Sequence, residues 1–241
     1  NKLSVLIPVF NEESTLSKTV NKVLQADISG LILEIIIVDD GSDNNLAETL
    51  ANSFKSNSDI PIIYEKKENG GPSSARNEGI KLAKAEFILF IDADDELLQN
   101  SIEWRQEILE SLDQDYASIY CSKIEHFENK SKAAERVIET NGRLNVCLVG
   151  RGNNAVPGQI ASHLFRKDIL IKVNGYKESL KFNEDFELIL RIAKKWKFYG
   201  VDKVGFIQYV REDSWSNSDP YVAYHGVEAF LETALEDELL P

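Results

Sequence analysis

The chain has 241 residues, room for one large α/β domain that buries about 70–75% of its unfolded surface. Its 27 basic and 40 acidic residues give a net charge of −13, which argues against nucleic acid, a partner held mainly through Lys and Arg on phosphates. Hydrophobic content is an ordinary 43%, and no apolar run approaches the roughly 18–20 residues of a membrane-spanning helix. Cys121 and Cys147 make neither a disulfide framework nor a zinc spacing, and read as reduced core thiols of a cytoplasmic protein. The first residues enter a strand pattern directly, without a signal-peptide pattern.

Leu3–Val9 reads as a first strand, followed by a helix whose Leu16, Val20, Val23 and Leu24 share one face. Leu33–Val38 is a continuous run of Ile and Val, the pattern of a parallel strand buried on both faces. Ala47, Leu50, Ala51 and Phe54 give a second helical face, and Ile62–Glu65 a third strand. Gly70-Gly71-Pro72-Ser73 opens a third helix carrying Ala75, Gly79, Leu82 and Ala83, with proline suited to the first turn. Phe87–Ile91 is a fourth strand. Beyond it, Ala117–Phe127, Ile160–Phe165 and Val204–Val210 read as strands, and Glu128–Asn154 as an inserted loop or lid. Phe182, Phe186, Ile189, Leu190 and Ala193 form a helical stripe, and Val227–Leu235 a C-terminal helix. Alternating strands and helices imply a mostly parallel sheet. We expect a single domain over residues 1–241, with a nucleotide-binding half to about residue 100, an acceptor half over 101–216 and the terminal helix over 217–241.

Ligands of such a sheet bind beyond the carboxyl ends of its strands. Pro8-Val9-Phe10-Asn11-Glu12, Asp39-Asp40-Gly41-Ser42 and Asp92-Ala93-Asp94-Asp95 all fall there. Asp39 and Asp40 suit either a turn or a hydrogen bond to a nucleotide base. Asp92, Asp94 and Asp95 repel one another unless a hard cation relieves them, and Mg²⁺ is typically held by one or two carboxylates plus substrate phosphates. Arg76, in a helix opened by two glycines, suits a phosphate. Glu184-Asp185 opens a helix, where it either complements the dipole or supplies a general base. His126, His163 and His225 lack metal-ligand spacing and read as surface or core residues. No G-x-G-x-x-G or P-loop motif is present.

These segments, in this order, resemble the family 2 glycosyltransferases of the GT-A fold, a Rossmann-like three-layer sandwich. The resemblance runs over about residues 2–216 and includes Ala75-Arg76-Asn77 and, after Asp185, Phe186, Leu188 and Arg191. It implies a donor site built from Pro8, Val9, Phe10, Asn11, Glu12, Asp39, Asp40, Arg76, Asp92 and Ala93. In that site Val9 and Phe10 line the base pocket, Asp40 or Asp39 binds the base, and Asp92 faces the ribose. It also implies Mn²⁺ or Mg²⁺ on Asp94, Asp185 as general base, inversion by direct displacement, a UDP-sugar donor and a glycan or lipid-linked acceptor. Many relatives carry Tyr-Arg-x-His-x-x-Ser late in the chain; here Val210-Arg211-Glu212-Asp213-Ser214-Trp215-Ser216 puts Asp213 in place of the His. An aspartate can ligate a cation, but while ionised it cannot donate a hydrogen bond to phosphate.

Two other readings stay open: a non-catalytic nucleotide- or glycan-binding module derived from such an enzyme, and a sugar-1-phosphate nucleotidyltransferase. The second wants a basic, Gly-rich loop after strand one, where this chain has Pro-Val-Phe-Asn-Glu-Glu. A lipid-linked acceptor would imply peripheral contact with the inner face of the cell membrane, and the acidic amphipathic stretch Val222–Leu240 fits packing or homodimer formation.

Overall fold

The computed structural model describes residues 2–27, 29–127, 134–136, 141–142, 159–210 and 220–237. Strands β1 (Leu3–Val9), β2 (Ile32–Asp39), β3 (Ile62–Lys66) and β4 (Phe87–Phe90) alternate with helices α1 (Glu13–Ala26), α2 (Leu46–Asn57) and α3 (Pro72–Leu82). They pair in parallel in the order β3-β2-β1-β4, so the expected parallel half is present. The three consecutive isoleucines of β2 are buried on both faces of the sheet, as an unbroken apolar run requires.

The second half adds β5 (Glu96–Leu97), α4 (Ser101–Ser111), β6 (Tyr116–Phe127), β7 (Ala134–Arg136), β8 (Asn141–Gly142), β9 (His163–Arg166), α5 (Lys167–Lys172), α6 (Glu184–Ala193), β10 (Lys197–Val210) and α7 (Pro220–Glu236). The sheet continues from β4 through antiparallel β9 to β6, then β10 in parallel with β6, and β5. Two apolar layers flank it. One packs α1, α2 and α4 on the sheet, the other α3, α5 and α6. The result is the three-layer α/β sandwich expected from the sequence.

The differences from the sequence reading lie in the second half. Ile160–Ser162 is a 3₁₀ turn, so the strand begins only at His163. β10 begins seven residues earlier than Val204, because its polar first half gains from pairing along β6 what it lacks in hydrophobic pattern. Helix α4 was not anticipated. Its inward face carries Arg105 and Gln106 beside Ile102 and Leu109, which hides the apolar period. Most of the expected lid, Glu128–Asn154, lies outside the described residues.

Gly79 sets the seat of α3. A Cβ there would meet Leu6 Cδ2 at 2.6 Å, so only glycine lets the helix lie this close to β1.

Candidate active site

Each of the first strands ends in a carboxylate or a turn that ties it to its neighbour. At the end of β1, Asn11 exchanges two hydrogen bonds with Asp43, donating from Nδ2 (2.9 Å) and accepting from its backbone N–H (3.0 Å). Asp39 is fully buried; its carboxylate accepts from the Ser42 N–H at 2.7 Å and from the Tyr64 hydroxyl at 2.7 Å. Asp40 accepts from Lys67 Nζ (2.8 Å) and from the N–H groups of Gly70 (3.0 Å) and Gly71 (2.7 Å). Both aspartates are therefore engaged within the protein, and Asp40 fixes the loop that starts α3.

One turn into α3, Arg76 projects to the centre of the site with its side chain only 6% exposed. Its Nη2 donates to Asp92 at 3.1 Å, and its Nη1 donates to Glu184 at 2.9 Å and to Asp185 at 3.5 Å. The sheet and α6 thus bring together three residues that the sequence places far apart: Arg76, Asp92 after β4 and Asp185 at the start of α6. Burial works against the Arg76 charge, but Asp185, Asp92 and Glu184 hold its pKa well above the usual value.

Asp185 has a side chain 17% exposed. Tyr176 donates its hydroxyl to Asp185 Oδ1 at 3.0 Å, and no hydrogen bond is made to Oδ2 among the described residues. Burial pushes the carboxyl up to about 7. Arg76 and the tyrosine hydroxyl pull it down, while Glu184 and Asp92 push it up. A carboxylate poised near neutrality, with one oxygen held and the other available, is suited to accept a proton from a substrate.

The turn after β4 carries the other acids. Asp94 lines a cleft of about 280 Å³ together with Thr15, Lys18 and Thr19 of α1, His126 of β6, and Tyr209 and Val210 of β10. His126, read from the sequence as a surface or core residue, is exposed on this cleft, whereas His163 is fully buried. Asp95 is 3% exposed; burial first, then Asp92 and Asp94, raise its pKa well above the usual carboxylate range, and its Oδ2 has no partner among the described residues. The Thr19 hydroxyl, bonded to the carbonyls of Ala93 (2.7 Å) and Asp95 (3.0 Å), anchors this turn on α1. Among the described residues no three His, Cys, Asp or Glu side chains are arranged to hold a metal by themselves. A cation at Asp94 would take its further ligands from beyond the described residues, and substrate phosphates would fit the usual Mg²⁺ pattern of few carboxylates and several phosphate oxygens. Asp213 lies outside the described residues.

The remaining expected donor residues divide. Phe10 is 46% exposed at the rim beside Pro8, and Glu12 starts α1 by accepting the N–H of Leu16. Val9 and Ala93 are buried in the core on the α1 side. For Val9 the period of two gave the signal: Leu3, Val5 and Ile7 share its face. Tyr176 escaped the sequence reading, since a lone tyrosine after Asn174-Gly175 carries no motif.

The family model described as glycosyl transferase family 2 matches residues 4–175. The Minor teichoic acid biosynthesis protein GgaB of Bacillus subtilis (strain 168) is 28% identical over 88% of this chain and 23% of its own length. The GalNAc(5)-diNAcBac-PP-undecaprenol beta-1,3-glucosyltransferase of Campylobacter jejuni is 28% identical over 99% of this chain and 75% of its own. Among solved structures, S. aureus TarS 1-349 in complex with UDP-GlcNAc superposes with a TM-score of 0.74 at 18% identity, covering 95% of this chain and 65% of that one. The chain therefore spans from under a quarter to three quarters of these relatives' lengths.

Proposed function

From the membership of this chain in glycosyltransferase family 2, we propose that it moves a sugar from a nucleoside diphosphate donor, a UDP-sugar, to a hydroxyl of a glycan or lipid-linked acceptor with inversion at the anomeric carbon. The observation that carries this reading is the joining of Asp92 and Asp185 through the buried Arg76 at one rim of the sheet. The similar TarS fold was solved with UDP-GlcNAc, and two of the relatives are named for minor teichoic acid biosynthesis and as a GalNAc(5)-diNAcBac-PP-undecaprenol glucosyltransferase, which supports the donor and acceptor classes.

In this reading the acceptor hydroxyl gives its proton to Asp185 as its oxygen bonds to the anomeric carbon. The bond from that carbon to the diphosphate breaks on the opposite face, and the nucleoside diphosphate leaves with the electron pair. One base suffices, since no covalent intermediate is formed. Asp40 holds the Gly70–Gly71 loop in the shape that receives the nucleotide, and Asp92 faces its ribose, fixed by Arg76. Mn²⁺ or Mg²⁺ held by Asp94 would supply Lewis-acid stabilisation of the departing diphosphate. No helix among the described residues is long and apolar enough to cross a membrane.

The Asp185→Asn variant tests the assignment. Transfer from UDP-sugars in the presence of Mn²⁺ should fall by about 100-fold or more, while calorimetry still detects UDP binding. Full turnover in that variant would remove Asp185 as the base.

A further inference from the structure

The turn between α5 and α6 is held with more contacts than its length requires. Arg191 of α6 donates from Nη1 to the Val173 carbonyl and from Nη2 to the Gly175 carbonyl at 2.8 Å. Its own guanidinium is gripped by the fully buried Glu187, with Nε and Nη2 each 2.6 Å from a carboxylate oxygen. On the other side Asn77 of α3 brackets the next residue: its Oδ1 accepts the Tyr176 N–H at 2.7 Å and its Nδ2 donates to the Tyr176 carbonyl at 2.9 Å. Gly175, at φ +61°, allows this close approach, since a Cβ there would collide with the Asn77 side-chain oxygen. Thus α6 fixes the residues just before Tyr176, and α3 fixes the backbone of Tyr176 itself.

That residue's ring is fixed as well. It stands edge-on to Phe90, with centroids 6.0 Å apart, and the Arg76 guanidinium lies 5.4 Å from its centre. The ring is buried, and its only polar atom reaches Asp185 Oδ1. A phenylalanine would fill the same apolar space, so packing alone does not account for the hydroxyl. Arg76 Nη1 approaches the same oxygen at 3.5 Å. Both donors therefore converge on Oδ1 and leave Oδ2 without a protein hydrogen bond among the described residues.

Resting on the reading of Asp185 as the base, we infer that Tyr176 is a positioning residue that pins Asp185 by one oxygen and so presents the other to the acceptor hydroxyl. The hydrogen bond orients the carboxylate, removing a rotation that the acceptor would otherwise have to select against. It also favours the ionised form against the burial that opposes it. The charged and titratable groups facing Asp185 are Arg76 from α3, Asp92 from the end of β4, Glu184 from its own helix and Tyr176 itself.

The test is Tyr176→Phe, which keeps the ring and removes one oxygen, assayed in the whole chain with a UDP-sugar and Mn²⁺. We expect kcat to fall about tenfold or more with the donor KM unchanged, and the acidic limb of kcat/KM to move to higher pH. In parallel, the Asp185 carboxyl is titrated by ¹³C NMR, identified as the resonance missing from Asp185→Asn. Its midpoint should rise in Tyr176→Phe. An unmoved midpoint and an unmoved pH limb would overturn the positioning role even though Asp185 remained the base. An active Asp185→Asn variant would remove the base reading, and the role of Tyr176 with it. A lower kcat accompanied by an unchanged pH limb and NMR midpoint would assign Tyr176 to packing and likewise overturn the proposal.

Discussion

Burial is the largest influence on the Asp185 carboxyl, and it raises the value to about 7 despite a guanidinium and a phenol beside it. The carboxyl is protonated and idle below that value and ionised above it. kcat/KM, which reports the free enzyme, should climb about tenfold per pH unit through the acid range and level off above about pH 7. A pH profile already flat from pH 5 would contradict it. The same shift has an opposite consequence for folding. The unfolded carboxyl releases its proton near 3.8, so Asp185 costs stability increasingly above that pH and fully above about 7. Much of this site was legible in the sequence, because Arg76, Asp92 and Asp185 stand in motifs at helix starts and strand ends. Tyr176 was not, since its role arises only where a turn held by Asn77 and Arg191 meets α6. Nor was the engagement of Asp39 and Asp40 by Tyr64, Lys67 and two glycine amides, which depends on how β3 and α3 fold back upon β2.

At the scale of elements, the seat of α3 on the sheet decides where Arg76 stands. Gly79 lies three residues after Arg76 on that helix and rests on Leu6. Gly79→Ala places a methyl 2.6 Å from Leu6 Cδ2 and should cost about 1–3 kcal/mol in urea unfolding, through overpacking. Combining it with Leu6→Ala should cost clearly less than the sum of the two single changes, because the cavity accepts the methyl. Strict additivity would show that the helix does not rest on Leu6. The parallel half was readable because its strands are continuous apolar runs. The second half was harder: β9 is short and antiparallel, β10 is half polar, and α4 turns an arginine inward.

Across the whole molecule, Arg76 is the point where α3, the end of β4 and the start of α6 meet. Removing its charge strands three carboxylates around a buried space. Arg76→Met should lower unfolding stability by about 3–5 kcal/mol, measured by denaturant titration, the range seen when one member of a buried ion cluster is deleted. A loss under about 1 kcal/mol would mean that water or neighbouring cations already serve those acids.

That meeting point carries a constraint on how such a protein can change. In the proposed reaction Asp92 faces the donor and Asp185 the acceptor, yet they share one counter-ion. A change of charge at either carboxylate is therefore felt by the other through one guanidinium, so neither position can be altered without an electrostatic response at its counterpart.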